Sequence, residues 1–457
     1  MSKIIDEIYV IIKLALPLMA AFLSQKGMQF IDTIMMGWIG PDALAAGSLG
    51  TSIFVTSIIF FMGTLSAVGV FIARARGENN LDDIQSTLQQ GIYLSLFFSL
   101  PCMLLIWCAP LALAHMGENI NIVHNTALLL GGLIWGIPGF LLFLTFREFI
   151  SAFSLTKTVM IVTLGSLPLT FLVNYILIYG KWGFPALGIA GIGYGGAVIM
   201  WFMFFCLLIY SLNHHILKNY LDFLFKLKSN LNFNLEKIKN LLNVGLPSGV
   251  ISILDASMFL FAAILMSFFS TDALAAHQIA MLCAATAYAI PFALSMSAAL
   301  RVGHSMGLGD SDLAKKSAYI AFSLGIIISG FIAAVFIFFP ENLAKIFINP
   351  HTDHYKNILH LATVFLAIGT LLLTFDAIQI IANGTLKGLK DTFVPMLISL
   401  ACYWLIGASS AYYFAFHTSL GPAGIWYGLT LGICTTGFVL VLRFWRRIKL
   451  PLIHHQT

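Results

Sequence analysis

Long apolar runs, each closed off by a few polar residues, follow one another along almost the whole chain. Ile53 to Ile72, Ala318 to Phe339 and Phe393 to Phe416 are three of them. They approach or exceed the ~20 apolar residues that carry a helix across a bilayer. A backbone in lipid must satisfy its own hydrogen bonds, and these runs are too long for barrel strands, so helices are predicted. The pattern gives twelve spans, near 9–37, 45–73, 86–113, 122–147, 157–180, 187–211, 240–268, 273–300, 314–339, 356–383, 392–415 and 421–445. The longest polar interruption is 212–239, which sets a first lobe at 1–211, a linker at 212–239 and a second lobe at 240–457. Phe223-Leu-Phe225 and Leu227 interleave with the linker's lysines. That segment reads either as a solvated connector with basic anchoring or as an amphipathic helix on the membrane surface.

The pattern also repeats. Asp42-Ala-Leu-Ala-Ala46 returns unchanged as Asp272-Ala-Leu-Ala-Ala276, 230 residues later. At the same offset Pro17 meets Pro247, Gly77 meets Gly307 and Asp82 meets Asp312. Residues 187–195 and 420–428 share seven of nine residues at an offset of 233. One half-molecule is written twice, and an apolar chain built this way is expected to be a transporter. Six spans per half is an even number, so the second copy enters the membrane from the same side as the first. The fold expected is an all-α integral membrane protein with two parallel-repeat six-helix bundles. Substrate is then expected between the lobes, with rocking of one against the other giving alternating access. A channel is disfavoured, because there is no filter motif and no arginine ladder.

Composition agrees with a membrane. Charged residues are 9% of the chain, against about 25% in soluble domains, and the mean hydropathy is +0.93. The net charge of +5 is a topology signal, with no nucleic-acid partner implied. Lys and Arg gather in alternate loops, from Arg74, Arg76 and Arg147 through Lys237, Lys239 and Arg301 to Arg446, Arg447 and Lys449. The opposite side holds Lys181, Lys345 and Lys356. The positive-inside rule puts both termini in the cytoplasm. The first span is expected to stay in the mature protein, because Pro17 within it has a partner at Pro247. The six cysteines all fall in apolar spans without CxxC or His pairing and read as small buried hydrophobes. No HExxH, histidine cluster or nucleophile–base motif is present, so no enzyme and no cofactor are expected.

An ionisable group at bilayer depth costs roughly 2.5–3.5 kcal/mol on insertion scales. Lys26, Asp32, Asp255 and Asp376 are the clear cases. Asp32 ends the first span beyond Pro17, a residue able to bend that helix, and Asp255 follows Pro247 by eight residues. Asp376 shares a helix face with Gln379 and Asn383. A carboxylate in such surroundings is costly to keep charged unless a cation sits on it, which is what an ion-coupled carrier needs. Each acid also has a plainer reading, as a helix cap for Asp32 and as a satisfied buried group for the others. Asn174 is a neutral polar group at depth, of a kind that also joins helices. The repeat places Ala262 opposite Asp32 and Gln25 opposite Asp255, so the acids were not duplicated with the scaffold. Lys26 and Asp32 are six residues apart, the wrong spacing for one helix face. Lys26 is therefore expected either to reach into the cavity or to snorkel.

Five segments together resemble one transporter family. They are Met28-Gln-Phe-Ile-Asp-Thr-Ile-Met-Met-Gly37, Ala73-Arg-Ala-Arg-Gly-Glu78, Leu274-Ala-Ala-His-Gln278, Ile290-Pro291 with Ala299-Leu-Arg-Val-Gly303, and Asp376-Ala-Ile-Gln379 with Gly384 and Lys387-Gly388. On these the chain resembles the MATE (multidrug and toxic compound extrusion) family, in its NorM-like branch. The resemblance implies a monomer in the bacterial cytoplasmic membrane that exports small amphipathic organic cations in exchange for Na⁺ or H⁺. It places cation coupling at Asp255, Asp376, Asp32 and Asn174, with Asp255 and Asp376 as a Na⁺ site. Asp32, Lys26, Gln278 and Gln379 become candidates for substrate contact. Two departures stand out: Asp255 replaces the commoner Glu, and Ile178 stands where another branch has an acid. The coupling site is left open between the lobes, with a lean to the second. A flippase for a lipid-linked precursor is the alternative; it would call for a basic cavity, whereas the deep charges here are three acids and one lysine.

Overall fold

The computed structural model describes residues 2–221, 233–348 and 354–449. Among these, twelve helices are long and apolar enough to cross a membrane. They are α1 (Ser2–Ile39), α2 (Pro41–Gly77), α3 (Leu81–His115), α4 (Ile120–Ala152), α5 (Thr156–Tyr179) and α6 (Ile189–Asn213) in the first half. The second half holds α7 (Leu235–Ser267), α8 (Thr271–Gly307), α9 (Ser311–Phe338), α10 (Tyr355–Gly388), α11 (Phe393–Phe416) and α12 (Pro422–Arg447). The amphipathic segment expected at Phe223–Leu227 lies outside the described residues.

Several helices run past the apolar stretches that predicted them and take in charges counted as loop residues, among them Arg74, Arg76, Lys237, Lys239, Arg446 and Arg447, and also Arg147 and Arg301. α4 continues to Ala152 and α8 to Gly307, and Arg147 is buried. These two helices extend because each guanidinium finds a carboxylate: Arg147 Nη2 donates to Glu148 at 2.9 Å, and Arg301 Nε donates to Glu7 at 2.9 Å. The cysteines need a correction too. Cys102 and Cys402 are buried, but Cys108 is exposed on α3. On a spanning helix the outward face meets lipid, where an apolar thiol costs nothing.

The duplication is visible in the backbone. Gly188 (φ 55°) and Gly421 (φ 53°) precede α6 and α12 in the same left-handed conformation, which a side chain would strain. Asn80 and Asp310, 230 apart, each cap the helix that follows by accepting from a backbone N–H, at 3.0 Å and 2.8 Å.

Three helices depart from regularity. α4 passes through a tight turn at Ile134–Gly136, just ahead of Pro138, and α8 is interrupted at Tyr288, just ahead of Pro291. A proline ring clashes with the carbonyl four residues earlier and supplies no N–H, which opens the helix there. α11 widens into a π-helix over Ala401–Ala408. None of the three is copied in its partner helix, since α2, α5 and α10 are continuous. α1 and α7 run unbroken through Pro17 and Pro247.

The chain forms two compact units, residues 16–249 and residues 1–15 with 250–457. It passes from one to the other inside α1 and α7, beside those two prolines. In the second unit a large apolar core holds Phe365 stacked on Trp426 at 5.8 Å, together with Tyr403, Leu372 and Ile433. In the first, Met35, Met36, Leu129, Ile178 and Ile192 form a smaller cluster beneath the end of α1.

Candidate functional site

Each unit contains one place where deep acids and amides meet. In the unit of residues 16–249, α1 brings Asp32 against α5, and Asn174 Nδ2 donates to Asp32 Oδ1 at 2.7 Å. Asn174 is fully buried. It fits because position 195 on α6 is glycine: a Cβ there would collide with Asn174 Oδ1. That oxygen has no hydrogen-bond partner among the described residues. Asp32 thus faces the amide N–H, and the amide oxygen, turned toward Gly195, is left as an unused buried acceptor. Lys26 takes no part in this pair. It lies on an exposed face of α1, and its ammonium donates to Gln29 Oε1 at 3.4 Å. Ile178, one turn beyond Asn174, is buried in the apolar cluster.

In the unit containing residues 250–457, Asp255 on α7 and Asp376 on α10 lie within electrostatic reach of each other. Two phenols share the site, Tyr288 from the break in α8 and Tyr403 from the π-helical turn of α11. Tyr403 is completely buried, and its hydroxyl donates to Asp255 Oδ1 at 3.5 Å. Asp376 is 3% exposed. It heads a row on one side of α10 in which Asp376 Oδ1, Gln379 Oε1 and Asn383 Oδ1 are all buried without a hydrogen-bond donor among the described residues. Buried acceptors left without a donor cost on the order of 1–3 kcal/mol each. A cation removes that cost.

The donor set is carboxylate, amide oxygen and phenol, all hard oxygens. Among the described residues no group of three His, Cys, Asp or Glu is placed to hold a metal ion.

The remaining candidate behaves differently. Gln278 is on an exposed face of α8, while its neighbour His277 is buried edge-on to Trp426 at 5.6 Å. Sequence reasoning missed Tyr288 and Tyr403. Tyr288 had a signal, since it stands three residues before Pro291 where a helix opens. Tyr403 had none, because a tyrosine in an aromatic-rich span looks like any other wall residue.

The MatE family model matches this chain twice, over residues 17–176 and 247–413, and the two matches begin at Pro17 and Pro247. A relative in Pseudomonas putida, a probable multidrug resistance protein NorM, is 34% identical over 444 residues, covering 97% of this chain and 95% of its own. A probable multidrug resistance protein NorM of Pasteurella multocida is 32% identical, with 95% and 93% covered. Among solved structures, that of the eukaryotic MATE transporter AtDTX14 superposes with a TM-score of 0.83 at 20% identity, over 97% of this chain and 98% of that one.

Proposed function

The chain belongs to the MatE family, and we propose that within it this protein is a secondary active exporter of organic cations and drugs. It works as a monomer in a bacterial cytoplasmic membrane, with both termini in the cytoplasm, and leaves its substrate chemically unchanged. Import of Na⁺ or H⁺ drives export by alternating access between its lobes.

The observation that carries the coupling reading is the buried, donor-less Asp376 Oδ1 on α10, within electrostatic reach of Asp255. Two carboxyls in apolar surroundings cannot both stay charged without a counter-ion. Loading one cation between the carboxyls removes that repulsion and gives the donor-less Asp376 Oδ1 a partner. Tyr403 anchors Asp255, which supports the shorter Asp in place of Glu, since the carboxyl keeps a fixed partner. Asp32, held by the Asn174 amide, offers a further carboxyl to a cationic substrate or to a second coupling ion. Gln379 adds an amide beside Asp376 for substrate or ion.

The energetics are sufficient. A membrane potential of ~100 mV offers about 2.3 kcal/mol per charge moved, or roughly a fifty-fold gradient. The test is ethidium efflux in energised vesicles, driven in turn by ΔpH alone and by a Na⁺ gradient alone. At least one gradient should drive efflux. Response to neither would overturn the antiport reading.

A further inference from the structure

At the arginine-rich end of α12 a cavity of about 340 Å³ opens between α11 and α12. Ile398, Val439 and Leu442 form its walls, and Arg443, Arg446 and Arg447 surround its base. The charge there is unbalanced. Asp391 accepts from Arg443 Nη2 at 2.9 Å and stands 3.7 Å from Arg447 Nε. Arg446 is exposed, and no carboxylate among the described residues pairs with it. One acid thus faces three guanidiniums. Arg443 Nε is buried without a hydrogen-bond partner among the described residues, as is Asp391 Oδ2, which stands 2.8 Å from Arg443 Nη2.

The apolar walls continue away from the arginines. Val439 and Leu442 are exposed on α12, as are Leu397 and Leu400 on α11, an apolar surface that an acyl chain can cover. The cavity therefore combines an acyl-chain surface with guanidinium forks, which bind phosphate oxygens through paired hydrogen bonds. Arginines at a helix end also serve as plain interfacial anchors. An anchor alone accounts for neither a cavity nor a buried unpartnered donor.

We propose that this cavity is a binding site for an anionic phospholipid of the adjoining leaflet, with the phosphate on Arg443, Arg446 and Arg447 and an acyl chain along Val439 and Leu442. Zwitterionic lipids are disfavoured, because their headgroup brings a cation to a site that already carries excess positive charge. The site shares no lining residue with Asp255 and Asp376, so it stands whether or not the coupling assignment holds.

The test is native mass spectrometry of the delipidated full-length protein with phosphatidylglycerol, phosphatidylcholine and inorganic phosphate as probes. Wild type should retain phosphatidylglycerol over phosphatidylcholine, and equimolar inorganic phosphate should not displace it. Arg446→Gln should weaken phosphatidylglycerol binding about five-fold, the equivalent of about 1 kcal/mol for one arginine at a membrane surface. Val439→Trp, which fills the cavity and leaves every charge in place, should weaken it as well. Thermal unfolding in detergent checks that both variants fold; if either does not, the wild-type lipid preference and phosphate competition decide. Equal retention of both lipids, binding unchanged in both folded variants, or displacement by free phosphate would overturn the proposal.

Discussion

Asp255 stands where the two halves of the chain differ, since its counterpart 230 residues earlier is Gln25, and Asp376 lies on α10, whose partner helix α4 carries no acid before Glu148. A duplicated scaffold needs no acids at these depths, so their presence in apolar surroundings asks for a function rather than a structural reason. Sequence alone was enough to find them, because charge inside an apolar run is conspicuous. The partners were not legible in the same way. Tyr403 reaches Asp255 from the stretch where α11 widens into a π-helix, and π-turns recur at functional sites. Tyr403→Phe removes one hydrogen bond worth about 0.5–1.5 kcal/mol. Gradient-driven efflux should fall roughly two- to ten-fold, with the unfolding temperature close to wild type. Unchanged efflux would make Tyr403 a wall residue. On the other side, Gly195→Val should push the Asn174 amide off Asp32. Ethidium binding should weaken as it does in Asn174→Ala, and a normal affinity would detach that pair from substrate.

The elements show what periodicity reads well and what it reads badly. All twelve spans were legible, since each is an apolar run of membrane length. Their ends were not, because ion pairs carry α4 and α8 beyond the apolar stretch. Glu7 at the start of α1 shows the cost of such pairs. It accepts from Arg301 at 2.9 Å and 2.5 Å and from Ser317 Oγ at 2.6 Å, and it is nearly buried. The residue 230 later is Lys237, at the start of α7, which is ion-paired with Asp83. The two halves thus anchor equivalent helix starts with opposite charges. Glu7→Gln leaves the Arg301 guanidinium without its counter-charge, a loss of about 3–5 kcal/mol for a buried pair. A clear drop in unfolding temperature should follow, while Glu341→Gln, an exposed partner of Lys345, should be near neutral. Equal effects from the two would contradict this reading. Pro291→Ala should let α8 run continuously through Tyr288, with folding retained and transport reduced. Transport at the wild-type rate would show that the break is incidental.

At the scale of the whole molecule, duplication and function part company. The echo preserves glycine turns, helix caps and the two prolines beside which the chain changes unit, but not the acids, the helix breaks or the π-turn. Asp255, Asp376, the break at Tyr288 and the π-turn fall in the second copy, while Asp32 and the turn at Ile134–Gly136 fall in the first, which is why the frame was readable from repetition and the chemistry only from its failures. The central claim is that these two carboxyls couple the cation gradient to export. It is tested most directly in vesicles holding wild type or the Asp255→Asn/Asp376→Asn double variant, with ethidium efflux followed under an imposed ΔpH or Na⁺ gradient. The account predicts that the double variant inserts and binds ethidium but shows no gradient-driven efflux above protein-free vesicles. Efflux by the double variant at the wild-type rate would contradict it.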